Sequence, residues 1–144
     1  MDNKIRVVQY GLGPIGKKIT QYLLERDSVQ IVGAIDSDPM KLGLDIGELA
    51  GSPVAYGVCV TDNPKTLLSK VDADIVVLTT TSSLENIKSQ IIEIISFGIN
   101  IVSTCEELSH PWLTNPEIAD EIDVAAKMST VSVLATGINP GFLM

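Results

Sequence analysis

The sequence predicts an α/β fold, a doubly wound parallel sheet in a three-layer α-β-α arrangement. Short apolar runs of strand length alternate with amphipathic helical segments along most of the chain. This alternation is typical of parallel sheets that have helices on both faces and right-handed crossovers. A glycine-rich turn also joins the first strand to the first helix. With 144 residues, 45% of them hydrophobic, the chain suits one domain with a sizeable core.

The first βαβ unit has the clearest pattern. Ile5–Tyr10 is an apolar run of strand length that ends at a glycine, and Val29–Ile35 is a second such run. The segment between them is long enough for a parallel crossover, so we expect strand, glycine turn, helix and strand. Apolar side chains recur in that helix at Ile15, Ile19, Tyr22 and Leu23.

Turn residues and apolar spacing predict the remaining elements. Gly43 and Gly47 weaken a helical pattern over residues 40–51, so we expect a short irregular helix there. Ser82 and Glu85 form a capping-box pattern that predicts a helix start, and Gly98 suits the C′ position of that helix. The expected buried side chains of this helix are Ile87, Ile91, Ile94 and Ile95. Further predicted elements are helices opened by Asn63-Pro64 and by Asn115-Pro116, the latter buried through Ile118, Ile122 and Ala125, and strands Ile75–Thr79, Ile99–Ser103 and Val131–Ala135.

The turn after the first strand has the spacing Gly-x-Gly-x-x-Gly at Gly11, Gly13 and Gly16. Following a strand and opening a helix, this pattern is typical of a Rossmann-type dinucleotide site. Gly11 would allow the tight turn, Gly13 the close approach of a pyrophosphate, and Gly16 close packing of helix on strand. The helix N-terminus would face the phosphates with amide groups and a positive dipole end. The alternative is a structural turn that binds nothing.

Asp36 ends the second strand, twenty positions after the last glycine of the turn. A carboxylate there would accept hydrogen bonds from the adenosine ribose hydroxyls. Its other interpretation is an N-cap or Asx-turn in the Asp-Ser-Asp-Pro loop, and both roles are compatible. Because this loop has no Lys or Arg before Lys41, a 2′-phosphate has no obvious partner. We therefore expect NAD as the cofactor, with NADP as a second possibility.

Hydroxyl side chains follow two of the later strands. Thr79, Thr80 and Thr81 follow one, and Thr104 follows the next. Open α/β sheets bind ligands at the carboxyl ends of their strands, so these residues are candidates for the second ribose and the nicotinamide. Helix capping is the alternative role for them. Nearby, Cys105 has no histidine close in sequence except His110, which we expect to be a loop residue and not a catalytic base. Glu106 and Glu107 are expected to be surface carboxylates.

Charge and composition exclude several classes of function. The formal net charge of −8 argues against nucleic acid as a partner, since such binding needs clustered Lys and Arg. No apolar stretch approaches the roughly 20 residues that span a bilayer, and the start has no secretory signal, so we expect no membrane partner and a cytoplasmic location. The two cysteines, Cys59 and Cys105, lack metal-type spacing, and we expect reduced thiols and no metal site.

Several stretches together resemble the N-terminal domain of the dihydrodipicolinate reductase family, and within it most closely the dehydrogenases of 2,4-diaminopentanoate. The stretches are VVQYGLGPIGKKI, AIDSDPMKLGLDIGELAG, VVLTTTSS, IVSTCEELSHPW and ATGINPGFLM. The resemblance implies a two-domain, homo-oligomeric enzyme that uses NAD(P) to deaminate a diamino acid oxidatively. It places dinucleotide contacts at Gly11, Gly13, Pro14, Ile15, Gly16 and Asp36, nicotinamide-ribose neighbours at Thr79, Thr80, Thr81 and Thr104, and an interdomain hinge at Asn139.

The same resemblance implies that residues 1–144 are the dinucleotide-binding domain and that a catalytic domain, which would bind the small amino-acid substrate, follows. The chain stops on Phe142-Leu143-Met144, and we expect a truncated, inactive piece of a dehydrogenase. No catalytic residue can be assigned. The STCEEL loop departs from the glycine-threonine run of the reductases and so favours the diamino-acid dehydrogenase. A dihydrodipicolinate reductase-type enzyme of lysine biosynthesis is the second hypothesis. A non-catalytic NAD-sensing module is the third hypothesis.

Overall fold

A computed structural model describes residues 3–136 of the chain. Its strands are β1 (Ile5–Tyr10), β2 (Val29–Ile35), β3 (Val60–Thr61), β4 (Ile75–Leu78), β5 (Asn100–Ser103) and β6 (Val133–Ala135). Its α-helices are α1 (Pro14–Leu24), α2 (Ile46–Leu49), α3 (Pro64–Lys70), α4 (Leu84–Ser96), α5 (Pro111–Thr114) and α6 (Pro116–Ser129), with a 3₁₀ turn at Glu106–Leu108.

The strands form a sheet in the order β3-β2-β1-β4-β5-β6, and helices flank it. The pairs β1–β2, β2–β3 and β5–β6 are parallel. This is the strand order of the Rossmann fold, so the predicted fold class is confirmed. By contact density the chain divides into two compact units, Met1–Ile75 and Val76–Met144.

The core of the first unit forms around the ends of β1 and β2. Its buried cluster consists of Leu12, Ile31, Ala34, Ile46 and Val60. Leu23 of α1 packs against this cluster, as predicted. The rest of the buried face differs from the expected one, because Gly16 and Thr20 are buried whereas Ile15 and Tyr22 are more than half exposed.

The segment between β2 and β3 is organised by one carboxylate that sequence patterns did not reveal. Asp45 accepts hydrogen bonds from the amides of Gly47 at 2.7 Å, Tyr56 at 3.0 Å and Gly57 at 2.8 Å. These backbone hydrogen bonds hold the pKa of Asp45 below its ordinary value, against the effect of burial. The expected irregular helix is shortened to α2, and the two-residue β3 had no recognisable pattern of its own.

The second unit contains the most regular helix. Ile87, Ile91 and Ile94 on α4 are fully buried and Ile95 nearly so, as predicted. Gly98 has φ +72° after the end of α4, which confirms its C′ position. The predicted capping box is wrong in register: the N-cap is Ser83, whose side chain makes no capping hydrogen bond, and Thr81 Oγ1 accepts from the Ser83 amide at 3.2 Å.

Differences at the helix starts and on α6 have local causes. Asn63 caps α3 as expected, since its side chain accepts from the Thr66 amide at 3.1 Å. Asn115 occupies the N-cap of α6 but makes no side-chain cap. The buried residues of α6 are Ala119, Ile122 and Ala126. The predicted Ile118 and Ala125 are only half-buried, because the buried face of the helix is rotated by one residue from the expected one. The one-turn helix α5 was not predicted.

Candidate functional site

The glycine-rich turn connects β1 to α1 in the first unit. Gly11 has φ +104°, a conformation that side chains rarely adopt, and its amide donates to Ile35 O at 2.8 Å. The turn is therefore pinned to the end of β2. This confirms the tight turn that the sequence assigned to Gly11.

Gly13 is the N-cap of α1, and its glycine identity is not required by the protein around it. Its φ of −69° and ψ of −168° are open to any L-residue. Within residues 3–136, and apart from its two chain neighbours, no atom lies within 4 Å of a Cβ built at this position. The space beside Gly13 is thus open at the positive end of an 11-residue helix whose first turn has no acidic residue.

Pro14, Ile15 and Gly16 form the first turn of α1. Pro14 suits a first helical position because its missing N–H has no intrahelical acceptor there. Ile15 is 60% exposed, so its apolar side chain faces outward at this end of the helix. Gly16 is buried, and the Thr20 hydroxyl donates to its carbonyl at 2.8 Å. Both the burial and this contact are consistent with the packing role predicted for Gly16.

Asp36 lies one residue beyond β2 and is tied to the glycine turn. Its Oδ2 accepts from the Leu12 amide at 2.7 Å, and its Oδ1 accepts from the Asp38 amide at 2.8 Å. The second bond is the Asx-turn that the sequence offered as an alternative. An ionised carboxylate has about four lone-pair sites, so these two bonds leave acceptor capacity for further donors.

Two residues that support the turn were missed at the level of sequence. Gln9 is fully buried on β1, and its Nε2 donates to Gly11 O at 3.0 Å. Lys41 Nζ donates to Leu12 O at 2.8 Å, although the two residues are 29 positions apart. A polar residue in a buried strand directly before the glycines was an available signal for Gln9. No local pattern indicated the contact of Lys41.

The threonine candidates lie in the second unit, beyond β4 and β5. Thr80 Oγ1 donates to Gln90 Oε1 at 2.6 Å, Thr81 Oγ1 accepts from Ser83, and the Thr104 amide donates to Leu78 O at 3.3 Å. Thr79 directly follows β4. Thr81 forms a turn with Ser83 and not the helix cap given as its alternative, and for all four residues nicotinamide-ribose contact stays a prediction. Asn139 lies outside the described residues.

Ser103 ties the ends of β4 and β5 together, which the sequence did not indicate. Its buried hydroxyl donates to Leu78 O at 2.8 Å and accepts from the Cys105 amide at 3.1 Å. Cys105 itself is fully buried, and desolvation raises the pKa of its thiol. A nucleophilic thiolate needs the opposite environment. Both Cys59 and Cys105 are free thiols, as expected.

The remaining sequence candidates, His110, Glu106 and Glu107, are exposed surface residues. His110 is the exposed N-cap residue of α5, and Glu106 and Glu107 are exposed on the 3₁₀ turn. Within residues 3–136 no cluster of three or more His, Cys, Asp or Glu side chains has metal-binding geometry. Over the same residues, no helix is long and apolar enough to cross a bilayer.

Comparisons with known proteins give a family match and similar relatives. The family described as dihydrodipicolinate reductase, N-terminus, matches residues 5–108. The 2,4-diaminopentanoate dehydrogenase of Acetoanaerobium sticklandii is 34% identical over 142 residues, which are 98% of this chain and 40% of that protein.

Two solved structures share the fold. The amine dehydrogenase from Mycobacterium smegmatis has a TM-score of 0.90 and 36% identity, over 94% of this chain and 40% of that one. The WlbA dehydrogenase from Bordetella pertussis, in complex with NADH and UDP-GlcNAcA, has a TM-score of 0.72 and 25% identity, over 96% and 36%. This chain thus spans about two fifths of the length of these relatives. The matched family model covers well over half of the sequence, and the chain belongs to the dihydrodipicolinate reductase family, whose N-terminal region it matches.

Proposed function

We propose that this chain binds NAD(H) and forms the cofactor-binding part of an oxidoreductase. The observation that carries the proposal is Gly13, where neither the backbone conformation nor any neighbouring atom of the described residues requires a glycine. A side chain would instead extend into the open space at the N-terminus of α1. A pyrophosphate needs that space, because it lies against the backbone amides there.

The residues of the first unit fit the adenosine half of the cofactor. Asp36 has lone pairs left after its bonds to Leu12 and Asp38, and these suit the 2′- and 3′-hydroxyls of a ribose. A 2′-phosphate would instead bring a second anion to the same carboxylate. The preference of the site is therefore NAD(H) over NADP(H). When bound, the nicotinamide supplies hydride transfer, and the protein supplies position and electrostatic environment.

The proposal that the whole enzyme oxidises an amine rests on its relatives. One relative is a 2,4-diaminopentanoate dehydrogenase, at 34% identity, and another is an amine dehydrogenase, at 36% identity. We propose oxidative deamination of a small diamino acid, with 2,4-diaminopentanoate as the first substrate to test. Because the relatives are about two and a half times as long, we assign the substrate pocket to sequence outside these 144 residues.

The cofactor proposal is tested by titrating NADH into the wild type, Gly13→Ala and Gly13→Val, with heat or fluorescence as the signal. We expect affinity to fall at least tenfold in Gly13→Ala and to become unmeasurable in Gly13→Val, while both apo proteins unfold at the wild-type temperature. Gly98→Ala is the matched control, since its Cβ also meets open space but its φ is +72°. It should lower stability and leave affinity unchanged. Wild-type affinity in Gly13→Val would overturn the assignment.

The substrate proposal needs a different assay, in which reduction of NAD is followed with 2,4-diaminopentanoate as substrate. The 144-residue chain alone should give no turnover, and the same chain joined to the additional region of its longer relatives should give it. Turnover by the chain alone would contradict the placement of the substrate pocket. Failure of the longer protein with diamino acids and simple amines alike would contradict the substrate class.

A further inference from the structure

Lys41 is held close against the glycine turn by two partners. Its Nζ donates to Leu12 O at 2.8 Å and lies 3.6 Å from Asp38 Oδ2. The side chain is only 18% exposed, which is low for a lysine in a loop. The backbone turn that presents it is fixed as well, because the Lys41 amide donates to Asp38 O and the Gly43 amide donates to Val60 O.

The bond to Leu12 O has a geometric consequence for Gly13. The carbonyl of Leu12 and the N–H of Gly13 belong to one trans peptide group, and in such a group they point in opposite directions. A cation that holds the carbonyl on one side therefore aims the Gly13 N–H to the other side. It also polarises the peptide group, which strengthens that N–H as a donor.

The preceding peptide group is held in the same way. The Leu12 amide donates to Asp36 at 2.7 Å, so a carboxylate and an ammonium from residues 36–41 fix the two successive peptide groups that flank Leu12. Leu12 itself is fully buried. The loop after β2 thus sets the orientation of the backbone in the glycine turn.

We propose that Lys41 is a positioning residue for the pyrophosphate of the dinucleotide and not a ligand of a 2′-phosphate. It acts by holding the Leu12–Gly13 peptide group with the Gly13 N–H presented to the phosphates. This role rests on the proposed dinucleotide function. A 2′-phosphate would have to draw the ammonium away from both Leu12 O and Asp38, and would do so beside the carboxylate of Asp36.

The two roles of Lys41 predict different changes in Lys41→Met. As a positioning residue, Lys41 supports binding of the pyrophosphate, which NAD and NADP share. Its loss should therefore raise Kd for both cofactors by a similar factor of about ten, the size expected for one charge-assisted hydrogen bond. The ratio of the two Kd values then stays constant. A 2′-phosphate ligand would give a selective loss of NADP affinity, and that result would overturn the proposal.

A second readout does not depend on the cofactor. In the apo protein, the amide NMR resonance of Gly13 should shift and its hydrogen exchange should change in Lys41→Met. Lys127→Met is the matched control: it removes the same charge and also breaks an ion pair, with Asp123 at 2.8 Å. It should alter neither the Gly13 resonance nor either Kd. Lys41→Leu, which also lacks a donor, replaces Lys41→Met in both measurements if that variant does not fold.

The outcomes separate this inference from the proposed function. If the wild type binds neither NAD nor NADP, the proposed function fails, while the Gly13 resonance still reports whether Lys41 orients the peptide group. If the wild type binds NAD and Lys41→Met has the same affinity and the same Gly13 resonance, the positioning role is wrong and the proposed function stands.

Discussion

The carboxylate of Asp36 accepts a hydrogen bond from the backbone amide of Leu12 at 2.7 Å, so the acidic residue after β2 is attached to the glycine turn after β1. The two sequence signals of a dinucleotide site are therefore one hydrogen-bonded unit. A change at Asp36 should affect cofactor choice through its charge and the turn through its hydrogen bond.

Asp36→Asn removes the charge with little change in shape, and the single oxygen of the Asn side chain can accept only one of the two backbone hydrogen bonds of Asp36. Repulsion between the carboxylate and a 2′-phosphate, after screening by salt, is worth about 1–2 kcal/mol, or roughly tenfold in affinity. We expect the ratio of Kd for NADP to Kd for NAD to fall by about that factor in Asp36→Asn. Both ligands should be titrated at two salt concentrations. Asp62→Asn, at an exposed position, is the control for net charge. If the ratio of the two Kd values does not change in Asp36→Asn, Asp36 only forms the turn.

Gly11 and Gly13 should respond in opposite ways to alanine. Gly11 has φ +104°, so Gly11→Ala strains the backbone and should lower the free energy of unfolding by about 1–3 kcal/mol. Gly13 has an ordinary conformation and open space, so Gly13→Ala should leave that free energy unchanged or raise it by a few tenths of a kcal/mol. Urea unfolding of the apo proteins measures both. Equal destabilisation would show that Gly13 is needed by the fold, which would remove the main support for its ligand role.

Much of the fold could be predicted because its signals are local. The period of α4 and the glycine after it identified a buried helix, and the alternation of strands and helices identified the parallel sheet. The misses have two causes. Strand β3 has two residues and no period, and Asp45 acts on amides up to twelve positions away. On α1 Gly16 and Thr20 are buried and Leu23 packs against the core, whereas Ile15 and Tyr22 are exposed.

The candidate site shows the same division. The glycine turn and the acidic residue could be predicted because each directly follows a strand that the sequence pattern identifies, β1 for the glycines and β2 for Asp36. Lys41 was recognised as the first cation of its loop, but its contact with Leu12 depends on how residues 38–44 fold back. Sequence reasoning can identify residues that would touch the cofactor more easily than the residues that hold them in place.

The two cysteines should differ in reactivity in the native protein. Cys59 is exposed, whereas Cys105 is buried and desolvation raises the pKa of its thiol. We expect a thiol reagent such as DTNB to modify one cysteine quickly at neutral pH and the second only on unfolding, because the thiolate is the reactive form. Cys59→Ser should abolish the fast phase, and Cys105→Ser should abolish the slow one. Fast modification of Cys105 in the folded Cys59→Ser variant would contradict its burial.

Acid stability should depend on Asp45. Its pKa is lowered in the folded state by the amides of Tyr56, Gly47 and Gly57, so its ionised form stabilises the fold. The stabilisation by ionised Asp45 is fully present above the ordinary carboxyl pKa, and it is lost as the pH falls through the lower pKa of the folded state. Asp74, whose pKa is lowered by Arg6, contributes with the same sign.

Asp45→Ala should therefore reduce the free energy of unfolding by about 1–2 kcal/mol near neutral pH, the size expected for losing a carboxylate that caps backbone amides. The difference from the wild type should narrow below about pH 4, because the wild type then loses the same carboxylate by protonation. Urea unfolding of both proteins between about pH 7 and pH 3 measures this. Asp62→Ala, an exposed acidic residue with no such set of amides, is the control and should differ little from the wild type at any pH. A deficit in Asp45→Ala that grows as the pH falls would contradict the sign, and would mean that Asp45 is more easily protonated in the folded protein than in the unfolded chain.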